Sequence, residues 1–140
     1  MAEPSVKRRG KARTEAPENL ALAFFALVAG WLVPGLGHVL VRRWVRALVF
    51  FTSVAVMALG GMAMKGQIFP PSFHDIFDLG GFLADLGTGM FYLGASFLGY
   101  GAGDISRATG DYGTRFIAGA GLLNLLCVLD AFDIARKRKA

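Results

Sequence analysis

Charge is scarce in this 140-residue chain. Asp, Glu, Lys and Arg make up 18% of it, against about 25% in an ordinary soluble domain. Histidine occurs twice and cysteine once, at Cys127. A single thiol cannot close an intramolecular disulfide, and a cysteine inside an apolar run packs as a small hydrophobe. No Gly-x-Ser-x-Gly, His-Glu-x-x-His or Cys–His pair occurs, so the familiar nucleophile and metal sets are missing. Gly35-Leu36-Gly37 is too short for a phosphate-binding fingerprint, and no strand precedes it. No nucleic-acid-binding module accompanies the basic clusters. The expectation is therefore a chain without enzymatic activity, cofactor, bound metal or nucleic-acid partner.

Apolar residues, by contrast, are abundant at 54%, with a mean hydropathy of +0.49. A chain of this size cannot hide so much apolar surface in one aqueous core. The apolar residues form four segments, over residues 20–41, 46–64, 84–103 and 115–135, each bounded by charge or by glycine and proline. Runs near 18 residues suffice to cross a hydrocarbon core of about 30 Å. The fold class expected is an all-α integral membrane protein of about four transmembrane helices. Residues 1–18 read as a disordered basic tail and 136–140 as a basic C-terminal tail. A basic segment before an apolar one invites a signal-peptide reading. That reading fails because the run continues through Trp31 and Pro34 to Val41 without a small-x-small cleavage site.

Within the first segment Asn19 is a plausible N-cap, and Ala23, Ala26 and Gly30 make a small-residue stripe suited to close helix contact. Trp31 falls near the far end, where interfacial aromatics are common. Pro34, Gly35 and Gly37 then kink or break the helix, because proline has no N–H and glycine accepts angles other residues avoid. Between the second and third segments, Ser72 and Asp75 resemble a capping box. Phe73, Ile76, Phe77 and Gly80 recur at helical spacing, which predicts an amphipathic helix lying on the membrane surface. His74 and Asp78 stand at i, i+4 on that helix, too few ligands for a metal site. In the third segment Ala95, Gly99 and Gly103 form a second small-residue ladder.

Four crossings would place both termini on one side. The five basic residues between Lys7 and Arg13, Lys65, and Arg136, Lys137, Arg138 and Lys139 would then lie inside, with Arg42, Arg43, Arg46, Arg107 and Arg115 outside. That excess favours cytoplasmic termini. A re-entrant first segment would bring Arg42, Arg43 and Arg46 inside, but three crossings would then leave the basic C-terminus outside. The basic clusters are expected to touch anionic headgroups.

Trp31-Leu32-Val33-Pro34-Gly35-Leu36-Gly37-His38, followed by Arg43-Trp44 and Arg46, resembles a pattern in a family of small bacterial multi-span membrane proteins. That family has no assigned activity and is distantly similar to the TM-two domain. Gly121-Leu122-Leu123-Asn124 and Leu129-Asp130-Ala131-Phe132-Asp133 resemble its closing signature. The chain departs from the TM-two pattern after His38, where Val39-Leu40-Val41-Arg42 replaces aromatic residues and a glycine. The resemblance implies a multi-span protein of the bacterial cytoplasmic membrane and implies no activity.

The candidate functional polar residues are His38, Asn124, Asp130 and Asp133. Intramembrane ionisable groups are functional candidates by default. Asp130 and Asp133 share a helix face, while Asn124 lies about 120° round from Asp130, so one face of this helix cannot carry a cation path. Asp133 reaches Arg136 and Lys137 at i+3 and i+4, in the favourable order. Two functions from different classes follow. One is a structural or accessory subunit packing with itself or with a larger membrane complex. The other is a homo-oligomeric transport or channel-type protein using His38, Asn124 and Asp130.

Overall fold

The computed structural model describes residues 20–71, 74–100 and 103–136. Among the described residues it is all-helical: α1 (Leu20–Leu32), α2 (Leu36–Leu40), α3 (Trp44–Ala63), α4 (Ile76–Leu86), α5 (Met90–Phe97) and α6 (Ala108–Ala135). The basic N-terminal tail, Asn19, Ser72, Phe73, Lys137, Arg138 and Lys139 fall outside the described residues.

Among the described residues only α3 and α6, of 20 and 28 residues, are long and apolar enough to cross a membrane. Their lengths of about 30 and 42 Å match or exceed the hydrocarbon core. Of the four expected crossings, two correspond to helices of spanning length, and the backbone breaks the other two segments. α1 ends at Leu32, and Gly35 takes a left-handed φ of 81°. The chain then doubles back. Gly37 sits so close to Ala26 that a Cβ would come within 2.6 Å of the Ala26 carbonyl oxygen, and Val41 packs beside Ala23. The first segment is thus a helical hairpin whose two ends lie at one level.

The third segment breaks in the same way. α4 ends at Leu86 and Gly89 adopts φ 60°, ψ −112°, a combination open to glycine alone. After α5 the chain is back beside the end of α3. The Tyr100 hydroxyl donates to the Met62 carbonyl (2.6 Å) and the Asp104 N–H to the Lys65 carbonyl (3.1 Å). The expected surface helix corresponds to α4, but α4 is the first arm of this second hairpin, with Ala84 and Asp85 buried. Asp75 caps it by accepting from the Phe77 N–H. Asp104, in the polar turn before α6, accepts from the Ser106 hydroxyl; that bond, with the Ser106 amide and Arg107 beside it, holds its carboxyl below the usual range.

α6 is the central helix, antiparallel to α1 and α3. Ala23 and Ala26 pack towards Ala135, Val54 and Ala58 pack on Ala120, and Gly61 meets Gly113 and Ile117. Ala23, Ala26 and Gly30 are all buried. The ladder Ala95–Gly99–Gly103 does not form one helix face, because α5 stops at Phe97. Ala95 is buried, Gly99 (φ 71°) faces open space, and Gly103 abuts Gln67. The interior is lined by small residues and the large apolar side chains point outward: Phe25 is 69% exposed, Val45 79% and Phe97 92%. An apolar exterior of this extent belongs in lipid or against a partner.

Candidate functional site

Two places in the bundle concentrate polar chemistry. The first lies where the two hairpin tips meet, halfway along α6. A helix that stops leaves its last carbonyls without intrahelical partners, and in hydrocarbon such groups must be satisfied internally. Asn124, fully buried on α6, does this for both tips. Its Nδ2 donates to the Trp31 carbonyl at the end of α1 (3.2 Å) and to the Gly87 carbonyl after α4 (2.8 Å). Trp31 adds a third link by donating its indole N–H to the Leu86 carbonyl (3.0 Å). Trp31 was expected at an interface; it sits instead at this interior junction.

Glycine makes the approach possible. A Cβ on Gly121 would overlap the Ala84 carbonyl oxygen, one on Gly89 would overlap the Trp31 carbonyl oxygen, and one on Gly87 would lie 2.7 Å from the Gly121 carbonyl oxygen. The junction is therefore backbone against backbone. Beside it Thr88 is buried and donates to the Asp85 carbonyl (2.6 Å). Asp85 is fully buried, with Oδ2 accepting from the Phe69 N–H (2.8 Å). Its Oδ1, like the Asn124 Oδ1, has no hydrogen-bond partner among the described residues.

The second place lies at the end of the bundle where α1 and α3 begin and α6 finishes. Gly37 lets α2 dock against Ala26 and Ala131, which carries His38 to 1% exposure. His38 Nε2 stands 3.1 Å from Asp130 Oδ2, and Arg46 Nη1 stands 3.4 Å from the same oxygen. The Phe50 ring tilts against the imidazole at a centroid distance of 4.8 Å. A carboxylate held by a guanidinium and an imidazole joins α2, α3 and α6, and could pass a proton to or from the ring. Asp133 is half-buried one turn further on, and Arg136 stacks over Phe132. Arg42 and Arg43 form the exposed turn from α2 to α3.

Of the four candidates, then, His38 and Asp130 meet, Asn124 serves a separate junction, and Asp133 lies beside Asp130. Sequence reasoning missed Asp85 and paired Arg46 with no carboxylate. Asp85 had a signal: it falls at i+3 from Phe82 and next to Leu86, on the apolar face of its helix. Arg46 had none, because its partner is 84 residues away.

A family model described as a family of unknown function, DUF6677, matches residues 25–140. The chain belongs to this family. The DUF6677 match takes in the first hairpin from Phe25 onward, the second hairpin, the Asn124 junction and the His38–Asp130–Arg46 cluster, and it carries no link to the TM-two domain. No curated protein and no solved structure matches the chain.

Proposed function

We propose that this chain is a structural or accessory subunit of the bacterial cytoplasmic membrane, with α3 and α6 crossing and the two hairpins dipping in from opposite faces. The carrying observation is the Asn124 junction, where carbonyl ends of two broken helices are satisfied from within, as lipid requires of any backbone it surrounds. Glycine brings the backbones into contact there, which favours a scaffold over a conduit through one protomer. The exposed apolar surface is available to lipid and to a second copy or a larger membrane partner. No catalysis, cofactor or nucleic acid enters this reading.

Charge supports the same arrangement. With both hairpins re-entrant, Arg42, Arg43 and Arg46 join the N-terminal and C-terminal basic clusters on one side. That leaves only Lys65, Arg107 and Arg115 of the fifteen basic residues on the other. This bias is stronger than four crossings allow and favours cytoplasmic termini. It is tested by single cysteines at Arg43, Ile105 and Ala140 in a Cys127→Ala background, labelled with a membrane-impermeant maleimide in right-side-out and inverted vesicles. Positions 43 and 140 should label from the same side and position 105 from the other; labelling of 43 and 140 from opposite sides would refute the hairpin topology.

The role itself is tested by native purification in mild detergent. A stoichiometric partner or a defined self-oligomer is expected, and a lone monomer would remove the subunit reading. The pairing of buried His38 with partly exposed Asp130 favours a second reading, homo-oligomeric transport of protons or cations. It predicts flux in liposomes that Asp130→Asn abolishes, and wild-type liposomes without flux would end it.

A further inference from the structure

The turn Arg42–Arg43 joins α2 to α3, which between them wall an apolar cleft. The cleft has a volume of about 240 Å³ and is lined by Val33, Leu36, Val39, Trp44, Leu48 and Phe51 among others. Its floor is Gly35 against Ala47, where a Cβ on Gly35 would overlap the Ala47 carbonyl oxygen. From Trp44 to Phe51 it runs about 10 Å along α3, at 1.5 Å per residue. The side chains that line it are apolar.

The turn that joins the two walls has the opposite character. The nearby carboxylate, Asp130, is engaged by His38 and Arg46. Arg42 and Arg43 are exposed, and neither makes a salt bridge among the described residues. Arg42 takes a left-handed φ of 61° where α2 ends, its N–H and that of Arg43 closing onto the Val39 and His38 carbonyls as at many helix C-termini. Two unpaired guanidiniums beside an apolar slot match one chemical class, an anion carried on a hydrocarbon chain.

We propose that the α2–α3 cleft binds an anionic phospholipid, with Arg42 and Arg43 on the headgroup phosphate and a length of acyl chain lying between Leu36, Val39 and Phe51. This rests on the membrane reading above, which puts the cleft in the leaflet on the side of the termini. It goes beyond a diffuse attraction of basic residues to a charged surface, because it assigns one chain to one slot.

Trp44 lines the slot and reports on it directly. With Trp31→Phe, Trp44 is the only tryptophan, and lipids brominated on their chains quench it on contact. The full chain is reconstituted in phosphatidylcholine vesicles containing a fixed fraction of brominated phosphatidylglycerol or brominated phosphatidylcholine. Brominated phosphatidylglycerol should show a roughly tenfold higher apparent affinity for the Trp44 site, and Arg42→Gln with Arg43→Gln should bring the ratio near one. If Trp31→Phe fails to reconstitute, the difference between wild type and Trp44→Phe supplies the same signal. Equal quenching by both lipids in the arginine-containing chain overturns the proposal, as does a preference that survives both substitutions. No quenching by either lipid would overturn the membrane reading beneath it.

Discussion

Gly89→Ala is expected to prevent the two hairpins from docking. Two effects act at this position. The φ of 60° and ψ of −112° lie outside the regions an alanine adopts, at a cost of about 1–3 kcal/mol from backbone strain. The new methyl would also overlap the Trp31 carbonyl oxygen of the opposing hairpin, and inserting atoms into a closed contact adds roughly 1–3 kcal/mol. Backbone is the obstacle, so no rotamer change relieves it. Gly121→Ala meets the same difficulty from the α6 side, against the Ala84 carbonyl oxygen. Gly94→Ala is the control, since a Cβ there has nothing within 4 Å. Gel filtration in detergent after graded heating should show Gly89→Ala and Gly121→Ala losing the monodisperse peak at a much lower temperature than wild type, with Gly94→Ala unchanged. A wild-type profile for Gly89→Ala would mean that the tips do not meet.

Asn124→Leu should be nearly as damaging, for a different reason. The substitution keeps the branched outline of the side chain, at a larger volume, and makes α6 more hydrophobic. What it removes is the Nδ2 group that serves the Trp31 and Gly87 carbonyls. Each buried carbonyl left without a donor costs about 1–3 kcal/mol. Asn124→Asp should do at least as much harm, because a carboxylate donates nothing and puts a second oxygen where Nδ2 faces those carbonyls. The thermal midpoint of both variants should fall well below that of wild type. Trp31 emission should shift to the red as its link to Leu86 loosens. A midpoint within error of wild type for Asn124→Leu would show that the junction contributes nothing to stability.

Several features were legible in the order of residues because they depend only on neighbours along the chain. Pro34 lacks an N–H and Gly35 accepts a left-handed φ, so the break in the first segment could be placed to the residue. The stripe of Ala23, Ala26 and Gly30 could be read as a contact face from its spacing. His38 and Asp130 stood out as ionisable groups in apolar surroundings, though nothing local paired them or brought Arg46 to the same oxygen. The ladder of Ala95, Gly99 and Gly103 shows how this reasoning fails: the spacing is helical, but α5 ends before Gly99. Six glycines between residues 84 and 103 counted as packing surface, while Gly89 is where the chain reverses.

By itself, the sequence determined that this chain is helical, rich in apolar segments and broken at Pro34–Gly35. Hydropathy, proline geometry and side-chain spacing are local properties, and they hold in any tertiary arrangement. Only the tertiary structure decided that two of the four apolar segments are broken into helical hairpins. A segment of about 20 apolar residues can cross a bilayer or turn back within it, and its composition is the same in both cases. The choice rests on whether the broken helix ends find donors and close contacts elsewhere in the chain. Asn124, Trp31 and Gly121 provide them from tens of residues away.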